Sequence, residues 1–160
     1  PKIAVVNSLE FAEHDPEAFA DVIAINLTGT MRLCAAARAG LAQRRGCIVN
    51  TASMLSFFGG GLVPAYSASK GGVAQLTKSL AIAYAADTIR VNAVAPGWVT
   101  TPLTRALQDD PARNAAVLAR TPMNRWGRPD DIAGAVAILV SPDAGWIPAQ
   151  LIEATGGARM

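Results

Sequence analysis

Two short apolar runs, separated by one long helical segment, most constrain how this chain can fold. Residues 47–51 follow Gly46, and residues 89–95 end at Pro96-Gly97, so each run is bounded by residues that break regular structure. Between them, residues 65–86 carry apolar side chains at helical spacing. Strands that alternate with helices predict an α/β fold in which the strands are parallel and covered on both faces.

The rest of the chain continues this alternation. Asp15-Pro16-Glu17 is typical of a helix start, and we expect that helix to continue to about Gln43 with Asn26 inside it. Residues 102–120 predict two short helices, residues 129–140 one more helix, and residues 151–154 a last strand. Pro148 lies just before this strand and lacks a backbone donor, which argues against regular pairing there.

Composition favours one globular domain over residues 1–160. Hydrophobic residues make up 51% of the chain and charged residues only 16%, so a disordered chain is excluded. The net charge of +2 is small and scattered, which argues against a nucleic-acid partner. We find no apolar run of membrane-spanning length and no signal-peptide pattern, so we expect no membrane partner and a cytoplasmic location.

Metal and hydrolase chemistry are disfavoured by the cysteines and the histidine. Cys34 and Cys47 form no C-x-x-C pair and have no neighbouring histidine, so we predict buried free thiols and no metal site. His14 is the only histidine. It precedes a predicted helix start, where an exposed polar residue is the ordinary expectation, and a serine–histidine–aspartate hydrolase would have to use it.

The strongest local feature is Tyr66-Ser67-Ala68-Ser69-Lys70. A tyrosine and a lysine four residues apart on a helix lie on one face, a single turn from each other. A phenol is a poor base near neutrality, and a nearby ammonium favours the phenolate. We therefore expect the lysine to lower the pKa of Tyr66, so that the pair can move a proton to or from an alcohol oxygen.

Two predicted strand ends provide the surroundings for this pair. Ser53 follows the first predicted strand and lies thirteen residues before Tyr66. The second strand ends in Pro96-Gly97, where glycine would let a flat ligand approach the backbone closely. Ligands of open α/β sheets bind outside the carboxyl ends of the strands. We expect the two strand ends and the helix face to meet at one pocket.

Several segments together carry a resemblance to a known family. They are Asn26-Leu27-Thr28-Gly29, the Ser53 segment, Tyr66 to Lys70, Arg90-Val91-Asn92-Ala93-Val94-Ala95-Pro96-Gly97, and Gly127-Arg128-Pro129-Asp130-Asp131-Ile132-Ala133. In order and spacing they resemble the short-chain dehydrogenases/reductases of the compact, single-domain kind. The resemblance covers nearly the whole chain. It implies the C-terminal part of a doubly wound, Rossmann-like parallel sheet.

The resemblance also implies a catalytic tetrad for hydride transfer between a nicotinamide and a carbonyl or secondary alcohol. Tyr66 would be the general acid/base, and Lys70 would bind the nicotinamide ribose and lower the phenol pKa. Ser53 would orient the substrate carbonyl, and Asn26, at a helix irregularity, would hold a water in a proton relay. The protein would supply alignment and the cofactor the hydride chemistry.

The implied cofactor is NAD or NADP. Besides Tyr66 and Lys70, its nicotinamide end would be held by Pro96, Gly97, Val99 and Thr101. Leu55 and Trp98 are the candidate substrate contacts. Residues 102–120 match a mobile substrate lid, and the helix over residues 65–86 matches one that pairs subunits, which implies a homodimer or homotetramer.

Each of these residues also has a simpler structural interpretation. Ser53 would satisfy backbone groups at a strand end, Asn26 would accompany a helix kink, and Thr101 would cap a helix before Pro102. Taken singly, these interpretations are at least as good as the catalytic ones. Taken together they are weaker, because they predict no particular spacing.

The chain departs from the family where the dinucleotide pyrophosphate would bind. The sequence has no glycine-rich G-x-x-x-G-x-G turn, and Gly59-Gly60-Gly61 lies between the serine and tyrosine of the tetrad. Residues 3–8 are either a degraded first strand and turn or part of the loop after it. We therefore expect residues 1–160 by themselves to bind a dinucleotide weakly.

Two explanations of this departure stay open. Either the chain is the retained part of a longer enzyme, or it is a truncated, inactive relative that acts as an oligomeric binding or scaffold protein. A third class, a hydrolase or lyase that uses Ser53 and Tyr66 without nicotinamide, has the least support.

Overall fold

A three-stranded parallel sheet organises the chain. The computed structural model describes residues 12–158, so the segment at residues 3–8 lies outside the described residues. Strands β1 (Cys47–Thr51), β2 (Arg90–Pro96) and β3 (Leu151–Ala154) lie in the order β1-β2-β3. In the register, Ile48 is opposite Val91 and Val94 is opposite Ile152. The predicted parallel α/β architecture is confirmed.

Helices connect and cover these strands. Their bounds are α1 Pro16–Ile23, α2 Gly29–Ala42, α3 Pro64–Ala83, α4 Arg105–Gln108, α5 Pro111–Ala119 and α6 Pro129–Val140. Short 3-10 turns stand at Ala12–His14, Met54–Ser56, Ala85–Asp87, Pro102–Thr104 and Pro142–Ala144. Asp15 caps α1 as predicted, since its carboxylate accepts the N–H groups of Glu17 and Ala18 at 3.1 and 3.0 Å.

The predicted long first helix is interrupted by a π-helical turn. Residues Ala24–Thr28 form five residues of π-helix between α1 and α2, and the buried Asn26 lies in the middle of that turn. A π-turn has one residue more than an α-turn, so it rotates the helix face that follows. The irregularity predicted at Asn26 is therefore present.

The core lies where α3 crosses from β1 to β2. One buried cluster joins α2, α3 and β2, and it consists of Cys34, Leu80, Ala81, Tyr84, Ile89 and Val91. A second cluster, of Ala52, Ala93 and Ala95, lies beside the carboxyl ends of the strands. The side chains of β2 from Val91 to Ala95 are all buried, as expected for a central parallel strand.

The last strand pairs regularly, although Pro148 put that pairing in doubt at the level of the sequence. Strand β3 pairs with β2, and the preceding segment is held by the fully buried Asn92. The Asn92 amide donates to the Ile147 carbonyl at 2.6 Å and accepts the Gln150 N–H at 2.8 Å. These side-chain bonds provide backbone partners where the proline cannot donate.

One helical stretch meets the length and composition of a membrane span, contrary to the sequence-based expectation. Residues Pro16–Ala42 have a mean hydropathy of 1.2 over the most apolar window, of which 17% is buried. Length and composition are weak evidence, because soluble core helices meet the same criteria.

Asn92 provides a test of how β3 is anchored. We expect Asn92→Ala to lower the free energy of unfolding by about 2 kcal/mol, because it removes the two hydrogen bonds that the fully buried Asn92 side chain makes with the backbone of Ile147 and Gln150. Urea unfolding followed by circular dichroism measures the change. Gln75→Ala, at an exposed position of α3, is the control. Equal stability of the two variants would contradict this account of the anchor.

Candidate active site

Ser53 lies immediately after β1, where the chain turns into the 3-10 turn Met54–Ser56. Its side chain accepts the Leu55 N–H at 3.2 Å, and its own N–H donates to the Ser56 hydroxyl at 3.2 Å. Ser53 therefore does satisfy backbone groups at the strand end, as its structural interpretation predicts. Ser53 is buried at the carboxyl edge of the sheet, the edge at which ligands of α/β proteins bind.

Tyr66 lies in the first turn of α3, and its phenol forms a hydrogen bond with the Ser53 side chain. Burial raises the pKa of the phenol, the bond from Ser53 opposes that change, and the charge of Glu13 raises the pKa further. The sequence-based expectation of a lowered phenol pKa is therefore wrong for the polypeptide by itself. The predicted juxtaposition of phenol and serine hydroxyl is present.

Lys70 lies one turn further along α3 and is 4% exposed. Its Nζ donates to the Thr51 carbonyl at 2.8 Å and lies 5.6 Å from the centre of the Tyr66 ring. Burial lowers the pKa of Lys70 to about 8. The bond to the Thr51 carbonyl holds its ammonium at the end of β1.

Asn26 is joined to α3 through a residue that sequence reasoning missed. Its amide donates to the Ser69 hydroxyl at 3.1 Å, and that hydroxyl donates to the Tyr66 carbonyl at 2.7 Å. The Asn26 carbonyl accepts the Thr30 hydroxyl at 2.7 Å. These contacts fasten the π-turn to the helix that carries Tyr66, which agrees with the structural interpretation of Asn26. Its role in a proton relay stays a prediction.

An apolar cavity of about 630 Å³ lies beside the end of β2. Its lining includes Pro96, Val99 and Thr101 and, from α6, Pro129, Ile132, Ala133, Val136 and Ala137. The lining is apolar, so it offers faces against which a flat ring such as nicotinamide could pack. Tyr66, Lys70 and Ser53 do not line this cavity, contrary to the expectation that the strand ends and the helix face share one pocket.

Glycine is required at position 97 for a different reason from the one predicted from the sequence. A Cβ built there would come 2.8 Å from the Thr155 Cα. The glycine is therefore needed because the backbone after β3 packs against it, whereas the sequence-based argument assigned the close approach to a ligand. The adjoining Gly156 and Gly157 have φ angles of 65° and 82°, which favour glycine.

The remaining candidate residues occupy separate places. Thr101 is the N-cap residue of the turn Pro102–Thr104, and the Thr104 hydroxyl accepts its N–H at 3.1 Å. This position agrees with the structural interpretation of Thr101 as a capping residue. Leu55 is half-buried in the turn after Ser53. Trp98 packs edge-on against Trp126 at 6.0 Å between ring centres and lines a second cavity, of about 500 Å³, beyond the end of β3.

Sequence reasoning also missed Ser56 and Glu13. The Ser56 hydroxyl donates to the Lys70 carbonyl at 2.7 Å and thus joins the Ser53 turn to α3. The S-x-x-S spacing of Ser53 and Ser56 is a capping pattern that could have indicated this residue. Glu13 accepts the Tyr66 N–H at 2.8 Å across 53 residues of sequence, and no local pattern indicates such a contact.

Comparison with known proteins identifies the class. The family model described as Enoyl-(Acyl carrier protein) reductase matches residues 2–159. The chain is 44% identical over 150 residues to the 2-dehydro-3-deoxy-D-gluconate 5-dehydrogenase of Bacillus subtilis (strain 168), which covers 92% of this chain and 59% of that protein. The fold and these matches define a protein of the α/β, Rossmann-like class. The chain belongs to the short-chain dehydrogenase/reductase family.

Solved structures agree with this assignment. An NADP-bound structure from Agrobacterium tumefaciens has a TM-score of 0.89 and 41% identity, covering 96% of this chain and 63% of that one. A 3-oxoacyl-[acyl-carrier protein] reductase with bound NAD from Brucella melitensis has a TM-score of 0.82 and 34% identity, covering 91% and 53%. The chain thus spans less than two thirds of the length of each protein named.

The lowered pKa of Lys70 makes a prediction about stability. Because burial lowers the pKa from the ordinary 10.5 to about 8, the unfolded chain binds more protons than the folded chain between those values. The folded state therefore gains stability as the pH rises from about 8 to about 10.5. Relative to Lys70→Met, the free energy of unfolding of the wild type should rise by up to roughly 3 kcal/mol across that range.

Urea unfolding at several pH values measures this difference. Tyr66 is present in both proteins, so its own titration cancels to first order. Lys78→Met, at an exposed position of the same helix, is the matched control. If the difference in free energy of unfolding between the wild type and Lys70→Met stays constant from pH 8 to pH 10.5, the prediction is contradicted.

Proposed function

We propose that this chain is the catalytic part of an NAD(P)-dependent oxidoreductase that interconverts a carbonyl compound and its secondary alcohol. The observation that carries the proposal is that the Tyr66 phenol lies close to the buried Ser53 side chain at the carboxyl edge of the sheet. Two hydroxyls that meet at such an edge can both reach one carbonyl oxygen of a small-molecule substrate.

Tyr66 acts as the proton donor in carbonyl reduction. The phenol is protonated near neutrality, as a group that gives a proton to the developing alkoxide must be, and burial raises its pKa further, which makes it a weaker acid than a phenol in water. Ser53 holds the carbonyl oxygen by a second hydrogen bond and so aligns it with the phenol. In the oxidative direction Tyr66 takes the proton back. That step requires the pKa of Tyr66 to be lower than it is in the polypeptide by itself.

The nicotinamide cofactor, when bound, supplies or accepts the hydride at the carbonyl carbon. Pro96, Val99 and Thr101, at and after the end of β2, would hold its ring. Lys70 lies between the Thr51 carbonyl and the Tyr66 ring, from where its ammonium can reach a ribose hydroxyl. Asn26 acts at one remove, through Ser69, on the helix that carries Tyr66.

The substrate class rests on relatives and on the lid segment. Relatives named for gluconate derivatives and for 3-oxoacyl groups all have a carbonyl or secondary alcohol as the reacting group. Within the lid, Val117 is buried and Leu103 is 44% exposed. Leu55, in the turn after β1, and Trp98, shortly after β2, are further substrate contacts.

Tyr66→Phe tests the proton-transfer role. We expect kcat for carbonyl reduction to fall by roughly 100- to 10,000-fold, because the ring remains but the proton donor is lost. The measurement is steady-state oxidation of NADH or NADPH with panels of keto sugar acids and 3-oxoacyl thioesters, on the intact natural polypeptide. Tyr84→Phe, which changes the only other tyrosine, is the matched control. Undiminished turnover in Tyr66→Phe would refute the proposal.

The proposed enzyme is cytoplasmic and homo-oligomeric. Cys34 and Cys47 are both free thiols, which suits a reducing compartment. Ile82 on α3 is 78% exposed, and Leu33 on α2 is also well exposed, so apolar side chains remain on the face that the family uses to pair subunits. A homodimer or homotetramer through α3 covers them.

Ile82→Lys tests this assembly. A charge in an apolar interface lacks a partner, so the variant should shift from dimer or tetramer towards monomer in sedimentation equilibrium. Ile138→Lys, at an exposed apolar position of α6, should keep the wild-type assembly. If Ile82→Lys sediments like the wild type, α3 is not the interface.

A further inference from the structure

Helix α3 begins without a local cap. Its N-cap residue, Val63, has no side chain that can accept a hydrogen bond, and Pro64 occupies the first helical position. The first N–H groups of a helix have no partner within the helix, so a donor in this turn needs an acceptor from elsewhere. The N–H of Tyr66 is one of these donors.

Glu13 provides that acceptor from a distant part of the chain. Its Oε2 accepts the Tyr66 N–H at 2.8 Å, and the residue is 1% exposed. Its Oε1 has no hydrogen-bond partner among the residues that the structure describes. No Lys or Arg of residues 12–158 forms an ion pair with it at the distances that define one.

A buried carboxylate is not needed merely to cap the first turn of α3. Burying an unpaired charge costs free energy, and a Ser, Thr or Asp at position 63 would cap the helix locally at lower cost. The positive end of the α3 dipole offsets part of that cost. The neighbouring His14 Nε2 lies 3.0 Å from the Gly61 carbonyl, so the same turn also holds the loop that leads into α3.

We propose that Glu13 is a positioning residue, whose buried carboxylate fixes the first turn of α3 and so sets where the Tyr66 phenol lies relative to Ser53. The catalytic significance of this inference rests on the proposed function. Glu13 contacts the Tyr66 backbone and acts on the chemistry through Tyr66 alone.

The charge of Glu13 also acts on the proton that Tyr66 carries. After burial, which is the larger cause, the carboxylate raises the pKa of the phenol, and the bond from Ser53 opposes it. Lys70 also faces the Tyr66 ring, and His14 lies beside Glu13 in the same turn. A carboxylate at the helix start therefore helps to keep the phenol protonated, as a proton donor requires.

Glu13→Gln separates charge from structure, because the amide oxygen can still accept the Tyr66 N–H. The probe is the NMR titration of tyrosine labelled with ¹³C at Cζ, in a Tyr84→Phe background that leaves Tyr66 as the only tyrosine. We expect the pKa of Tyr66 to fall by roughly half a unit, the effect of one partly screened charge. Glu17→Gln, which removes an exposed carboxylate of α1, should leave that pKa unchanged.

An unchanged Tyr66 pKa in Glu13→Gln overturns the effect of the charge, and an unchanged Tyr66 pKa in Glu13→Ala, which also removes the acceptor, overturns the positioning role. If these variants do not fold, the wild type provides the test: the Tyr66 amide proton should follow the ionisation of Glu13 during an acid titration. If the chemical shift of the Tyr66 amide proton does not change as Glu13 is protonated, the inference is overturned as well.

The two proposals fail separately. The NMR titration does not depend on enzymatic turnover. If Glu13→Gln changes the Tyr66 pKa but Tyr66→Phe leaves the activity intact, only the proposed function is refuted. In an active enzyme, Glu13→Gln should move the pH profile of kcat to lower pH and leave KM nearly unchanged. A merely structural cap predicts no such movement.

Discussion

The parallel pairing of β1 and β2 through the α3 crossover determines where every candidate residue lies. Two parallel strands end at the same edge, so Ser53 after β1 and Pro96 at the end of β2 lie on one side of the sheet. The start of α3 lies at that edge because the helix must return along the sheet. The Lys70 Nζ bond to the Thr51 carbonyl then joins the helix directly to the strand end.

Buried polar bonds hold this geometry where apolar packing alone would not specify it. Asn26 and Ser69 link the π-turn to the Tyr66 carbonyl. Ser56 links the Ser53 turn to the Lys70 carbonyl. Each bond satisfies a group that would otherwise be buried without a partner, so the bonds specify a unique arrangement at little net cost.

Burial dominates the electrostatics of the tyrosine–lysine pair. It raises the pKa of Tyr66 and lowers the pKa of Lys70, so both groups favour their neutral forms more than they do in water. In the polypeptide by itself the phenol therefore stays protonated near neutrality. The same burial makes the charge of Glu13 influential, because little solvent screens it.

The sequence by itself determined the elements and the family. Residues 129–140 and 151–154 form the predicted helix and strand, and Ser53 and Tyr66 meet as their spacing indicated. These features depend on local periodicity and on the rule that parallel strands end together. Tertiary structure alone decided that Glu13 caps α3, that Thr155 packs on Gly97, and that Asn92 offsets Pro148. Such contacts join residues far apart in the chain, and the direction of a pKa shift depends on burial that no local pattern encodes.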